Sequence, residues 1–329
     1  MRGDSCEKTK NADLKAVDLK PFIHGNYQFT YRDGYIGFCK FSNEQTEYLK
    51  FNDFFYRRAF FSSSVTLEFK CEADVCVFSF DYKIADLSSK DTLDVFVGNK
   101  CEYSIKVENM PELGTLEFCA HGKGSEVVVY FPIDADFCIK NFKISAPILK
   151  TVRSPKVLWL GDSISQGYGT FVSSGSFVNL IRRKAGFELL NQGIGGYYYD
   201  AQCLMPLKEF VPDRIIIAMG TNLHTWADKE KYIADFYKQL NAIYGGIKTL
   251  SITPLWRNDP AADREKMDET RKFIEQTCLK FGTECLNGED LIFHEDKYFF
   301  DGLHPNADGA KIYADNVFKY LTQTKFFDI

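Results

Sequence analysis

No apolar run in these 329 residues approaches the ~18 residues that a membrane-spanning helix needs. No block of five or more basic residues occurs, and the formal net charge is −5. A nucleic-acid backbone therefore finds no electrostatic footprint here. The first twenty residues are polar and lack the apolar core of a secretory signal. Cysteine is abundant at ten, yet no C-x-x-C pair is present, which removes the common zinc and redox spacings. The H-E-x-x-H, Walker and G-x-G-x-x-G patterns are missing as well. Several cysteines sit in apolar alternation, as in Phe38-Cys39, Val75-Cys76-Val77 and Phe137-Cys138-Ile139, where a thiol behaves as a small buried hydrophobe. These absences lead to reduced core thiols in a cytoplasmic, reducing compartment, with no metal, no cofactor, no nucleic acid and no membrane among the partners.

What is present is enough for two domains. Hydrophobic residues make up 45% and charged residues 26%, so the chain is able to bury a sizeable core. Aromatic residues reach 16%, with 30 Phe and 18 Tyr, which favours β-rich structure or a stacking surface. From about Tyr27 to Ile144 apolar and polar residues alternate in short runs, such as Thr92-Leu93-Asp94-Val95-Phe96-Val97 and Glu126-Val127-Val128-Val129-Tyr130-Phe131. Turn clusters such as Gly98-Asn99-Lys100 divide them. That spacing predicts an antiparallel sandwich or jelly roll over residues 1–150. The segment 146–155, with a proline near each end, reads as a linker.

After Pro155 the period changes. Apolar runs at 156–160, 188–190, 214–219 and 247–253 alternate with segments of helical period at 176–185, 201–209, 229–244, 263–281 and 307–321. Strands followed by helices predict a three-layer αβα, flavodoxin-like parallel sheet over residues 151–329. Chemistry in such sheets gathers at the carboxyl ends of the strands.

Four polar positions stand at those ends. Ser163 follows Gly161-Asp162 directly after the first strand, where a serine could equally cap the next helix. Asn191-Gln192-Gly193-Ile194-Gly195-Gly196 brings glycines through which backbone N–H groups approach a ligand closely. Asn222 closes Gly220-Thr221-Asn222, a position that also suits a simple turn former. Asp301 precedes His304 by three residues, close enough to hold one imidazole nitrogen while the other meets a nucleophile.

These four blocks, in this order, resemble those of the GDSL or SGNH hydrolases, named for shared Ser, Gly, Asn and His residues. The resemblance runs from Lys156 to the C-terminus and extends to Leu303-His304-Pro305-Asn306 and Tyr313-Ala314-Asp315-Asn316. A jelly roll ahead of such a domain is similar to some carbohydrate esterases of that superfamily. The resemblance implies Ser163 as nucleophile, His304 as general base and acid, and Asp301 as the carboxylate that orients the imidazole. It implies an oxyanion hole of the Ser163 N–H, the Gly196 N–H and the Asn222 amide. One departure is that Leu223-His224 follows Asn222 where many relatives carry an aspartate, which bears on the pocket wall. No G-x-S-x-G elbow surrounds Ser163.

Aromatic and basic residues after the strand ends, namely Tyr197, Trp226, Trp256 and Arg257, are candidates to line a substrate, since sugar rings stack on such faces. They could equally pack helices against the sheet. His224 and His294 are expected behind the site or at the surface, and His24 and His121 have no catalytic context. The expected activity is hydrolysis of a short acyl ester, an acetyl, on a small-molecule or oligosaccharide substrate. A lipid or thioester hydrolase on the same fold, or an inert glycan-binding protein, are the alternatives. Aromatic-rich sandwich faces would permit a homodimer.

Overall fold

Strands that alternate apolar and polar residues need a face to bury, and two antiparallel sheets provide it. The structure is a computed structural model and describes residues 13–88 and 90–327; Cys6 lies outside the described residues. Its first strands are β1 (Lys15–Ala16), β2 (Ile23–His24), β3 (Gln28–Arg32), β4 (Tyr35–Cys39), β5 (Thr66–Cys71) and β6 (Val75–Leu87). They continue with β7 (Thr92–Val97), β8 (Lys100–Lys106), β9 (Leu113–His121), β10 (Glu126–Tyr130), β11 (Ala135–Ile144) and β12 (Ile148–Lys150). One sheet has the order β3-β4-β11-β6-β9, with β1 added to β11. The other runs β12-β5-β10-β7-β8, with β2 added to β5.

Strand β10 shows how the alternation is used. Val127 and Val129 enter the main core with Phe69, Phe78 and Phe137, while Val128 and Tyr130 form a separate cluster with Phe96. Aromatic pairs fill part of this interior. Phe69 meets Phe78 edge-on at 5.2 Å, and Tyr82 stacks on Phe137 at 5.5 Å, contacts worth about 0.5–1.5 kcal/mol each beyond their buried area.

Residues 43–58 depart from the expected run of strands. They form the short helices α1 (Asn43–Leu49) and α2 (Asp53–Arg58). Ser42 and Gln45 make a capping box for α1, and the Asn52 side chain accepts from the Phe54 N–H to start α2. The stretch expected as a linker contains β12, which pairs with β5. The chain divides into two compact units. The first comprises residues up to Cys39, Phe60–Val152 and Val172–Ser174; the second comprises Lys40–Ala59, Arg153–Phe171 and everything from Gly175 onward. Helices α1 and α2 therefore belong to the second unit, although they precede most of the sandwich in sequence.

The second unit is built on a five-stranded sheet of β13 (Lys156–Gly161), β14 (Glu188–Gly193), β15 (Arg214–Ala218), β16 (Lys248–Ile252) and β17 (Glu284–Leu286). The order is β14-β13-β15-β16-β17 and all pairings are parallel. That is a doubly wound flavodoxin-like order, in which the winding direction reverses at β13. The connecting helices are α3 (Ser163–Gln166), α4 (Phe177–Ala185), α5 (Lys229–Tyr244), α6 (Arg264–Phe281) and α7 (Ala307–Gln323). Ser176 caps α4 and Asp263 caps α6, which is why the helical period begins where it does. The helix expected over 201–209 does not form. Pro206 lies inside it, removing an N–H and clashing with the preceding turn, and the segment runs as turn and coil. No helix among the described residues is long and apolar enough to cross a membrane. None of the nine described cysteines is in a disulfide, and seven of them are buried.

Candidate active site

Gly161 ends β13, and its identity follows from packing. A Cβ there would lie 2.1 Å from Ser165 Oγ and 2.2 Å from Ser165 Cβ. Ser165 is itself fixed, accepting from Trp159 Nε1 at 3.2 Å and donating to the Ala218 carbonyl at 3.1 Å. The strand therefore turns directly into α3, which Asp162 caps by accepting from the Ile164 N–H at 3.0 Å. Ser163 is the first residue of that helix and is 6% exposed. Asp162 is fully enclosed; desolvation raises its carboxyl to about 7 against the opposing pull of backbone N–H groups and Arg257.

Ser163 Oγ lies 2.7 Å from His304 Nε2, and His304 Nδ1 lies 2.8 Å from Asp301 Oδ2. The carboxylate accepts the Nδ1 proton, which leaves Nε2 to accept from the serine hydroxyl. Asp301 Oδ1 also takes the N–H groups of Leu303 and His304, at 3.0 and 2.8 Å. Desolvation alone would raise the Asp301 carboxyl, but these hydrogen bonds and the neighbouring imidazole outweigh it and hold the group below its usual range. Tyr168 packs edge-on to the His304 ring at 4.8 Å, and Phe300 packs edge-on to Tyr168 and Phe171. Gly169 lets that loop come close, since a Cβ there would lie 2.8 Å from His304 Cβ.

The glycine block follows β14. Asn191 joins it to α3, donating to the Ser165 carbonyl at 2.8 Å and accepting from the Gly193 N–H at 2.9 Å. Gln166 Oε1 takes the Gly195 N–H at 2.7 Å. Gly196 adopts φ +75°, a left-handed conformation that glycine tolerates, and it is exposed. Among the described residues its N–H has no acceptor within the protein. Asn222 donates one amide proton to the Tyr197 carbonyl at 2.8 Å, and the second proton of the group remains for a ligand. A hydroxyl paired to an oriented imidazole is the equipment that acyl transfer to serine requires.

Of the four residues expected to line a substrate, three are turned into the protein. Tyr197 is 6% exposed and donates to Asp200 at 3.0 Å. Trp256 is 9% exposed and lies between His294 and Phe299. Arg257 is 6% exposed; it forks onto Asp259 and donates to the Thr221 carbonyl and hydroxyl at 3.1 and 2.9 Å. It braces the Asn222 loop and is buried. Trp226 stays half-buried and packs on Tyr198 at 4.9 Å. His224 is buried with its ring nitrogens 2.7 and 3.2 Å from the carbonyls of Thr221 and Ala261. No group of three or more His, Cys, Asp or Glu among the described residues is arranged to hold a metal.

Several contributors lie in α1, in α2 and just ahead of them, more than 100 residues before the first block. Gln45 pairs amide to amide with Gln192 and donates to the Cys203 carbonyl at 2.9 Å. Lys40 Nζ reaches the Gly193 carbonyl at 3.3 Å. Phe54 and Phe55 each come within 3.7 Å of where a Gly196 Cβ would be. Only the capping pattern Ser42-x-x-Gln45 could have signalled these helices, and nothing local could have linked them to Gly196.

The second unit is an αβα domain with a parallel sheet, a serine at the switch point and a histidine–carboxylate pair before the last helix. Residues 159–312 match the GDSL-like lipase/acylhydrolase family, so the second unit carries a domain of that family and the chain is in class an ester-hydrolysing enzyme. Solved structures share the two-domain fold at low identity. The salicylyl-acyltransferase SsfX3 from a tetracycline biosynthetic pathway aligns with a TM-score of 0.75 at 17% identity, over 95% of this chain and 98% of that one. A protein assigned as a GDSL-like lipase from Bacteroides ovatus gives 0.73 at 16% identity, over 94% and 98%. A family two carbohydrate esterase from Clostridium thermocellum, in complex with cellohexaose, gives 0.63 at 14%, over 93% and 99%. No curated protein sequence is significantly similar to this chain.

Proposed function

We propose that this chain is a serine esterase that removes a short acyl group, an acetyl, from a carbohydrate. The observation that carries the reading is the unbroken contact chain from Ser163 Oγ through His304 to Asp301, at 2.7 and 2.8 Å. Ser163 attacks the ester carbonyl while His304 Nε2 takes its proton, and His304 then delivers that proton to the leaving alcohol. Asp301 keeps the imidazole in the required tautomer and stabilises the imidazolium. The oxyanion is met by the N–H groups of Ser163 and Gly196 and by the Asn222 amide. Water repeats the sequence to release the acid.

The carbohydrate half of the proposal draws on two aromatic groups flanking the machinery. Tyr168, Phe171 and Phe300 stand on the His304 side, and Phe54, Tyr198 and Trp226 on the Gly196 side. Phe54 and Phe300 are 46% and 51% exposed, as faces for sugar rings must be. Seven buried cysteines outside any disulfide support a reducing compartment. The test compares 4-nitrophenyl acetate with 4-nitrophenyl decanoate and then assays acetate release from a panel of acetylated sugars. Faster turnover of the acetate ester and release from at least one sugar are expected. Preference for the decanoate would reject the short-acyl reading in favour of a lipid hydrolase.

A further inference from the structure

Helix α2 places a cation against the glycine loop that closes the candidate oxyanion hole. Arg58 Nε lies 3.4 Å from where a Gly195 Cβ would stand, and Arg58 Cδ lies 3.6 Å from the same point. Its guanidinium carbon sits 3.6 Å from the centroid of the Phe54 ring. Phe54 is 46% exposed, and its Cε1 is 3.7 Å from the Cβ position of Gly196. Phe54 and Arg58 therefore pack against the Gly195–Gly196 backbone, next to the donors proposed for the oxyanion.

We propose that Arg58, held over the Phe54 ring, recognises a carboxylate carried by the ester substrate. The inference rests on the esterase reading above but not on the substrate being a sugar. Three physical points support it. Stacking occupies the face of a guanidinium and leaves its N–H fork in the ring plane, the orientation that takes a carboxylate bidentately. With five N–H donors, the group is able to hold an internal partner and a substrate oxygen at once. Arg58 is only half-buried, so a substrate anion reaches it without full desolvation, while Phe54 shields one side from water. The overall charge of −5 makes a local cation beside the site the more selective, because the rest of the surface repels anions. A Cβ at Gly195 would stand in ordinary van der Waals contact with the Arg58 side chain.

The test measures kcat/KM in two matched pairs. One pair carries the charge on the acyl side, mono-4-nitrophenyl succinate against 4-nitrophenyl butyrate. The other carries it on the alcohol side, 4-acetoxybenzoate against phenyl acetate. The reported quantity is the charged-to-neutral ratio, so loss of folded enzyme cancels. In at least one pair Arg58→Gln is expected to lower that ratio about tenfold to a hundredfold, as loss of a charge-assisted fork does. Arg58→Lys, which keeps the charge without the fork, is expected to restore part of it, and added salt to erode the wild-type ratio. Ratios unchanged in Arg58→Gln in both pairs would overturn the proposal while leaving the esterase reading intact. If the wild type hydrolyses none of the four esters, the esterase reading falls and this inference falls with it.

Discussion

Replacing Asn222 by alanine separates a catalytic donor from a merely structural one. Its amide already spends one proton on the Tyr197 carbonyl at 2.8 Å, and Arg257 fixes the preceding residue through two contacts to Thr221. The loop is thus held whether or not Asn222 is present, and the second amide proton is lost cleanly. Removing one preorganised oxyanion donor costs about 10²–10³ in kcat, or about 3–4 kcal/mol of transition-state stabilisation. The ground-state carbonyl is less charged, so KM should move little. The Tyr197 carbonyl also loses its partner, which costs about 1 kcal/mol of folding stability for one neutral hydrogen bond. Steady-state kinetics on 4-nitrophenyl acetate, run beside a urea unfolding curve, read both quantities. Asn222→Asp should be impaired at least as much at neutral pH, since a carboxylate only accepts hydrogen bonds and repels the developing oxyanion. A kcat for Asn222→Ala within about fivefold of wild type would refute the oxyanion assignment, because that is far below the loss expected of a donor.

Two further outcomes follow from the geometry around Ser163. Asp162 is raised to about 7 by burial, above an ordinary value of about 3.9, so the folded chain holds its proton more tightly than the unfolded chain. The stability tied to that proton is complete below about pH 4 and declines as pH rises to about 7; Asp162→Asn keeps the cap oxygen without titrating, so its urea midpoint should gain on wild type between pH 4.5 and 7.5, and a constant gap would contradict this. Gly161→Ala drives a methyl group to within 2.2 Å of the pinned Ser165 side chain, which should lower stability by about 1–3 kcal/mol or more and displace Ser163. Thermal denaturation and esterase activity check it together, and a variant normal in both would show that α3 accommodates the side chain.

Legibility in the sequence followed locality. The parallel sheet could be read because its strands are short apolar runs and the helices between them carry their own caps, as Ser176 and Asp263 do. Ser163, Gly196, Asn222 and His304 were visible because each stands just past a strand end or before the last helix. Helices α1 and α2 were not, since seven and six residues make fewer than two turns each and leave too short a stretch for a helical period to show. Their service to the site depends on contacts such as Gln45 to Gln192, 147 residues apart, which no period encodes. Trp256 and Arg257 stand at a strand end as a substrate-lining residue would, but sequence position does not tell which way a side chain turns. Buried stacking on His294 and a fork onto Asp259 claimed them. In the segment 201–209 the apolar spacing imitated a helix, and Pro206 decided otherwise.

The central claim is that Ser163 is the nucleophile, and covalent capture tests it most directly. The protein is treated with a fluorophosphonate, its intact mass is followed beside its residual turnover of 4-nitrophenyl acetate, and the modified peptide is sequenced. One adduct per chain on Ser163, with turnover falling in step and no labelling of Ser163→Ala, is the expected result. Turnover that persists in Ser163→Ala, or that is lost through an adduct on another side chain, would contradict it.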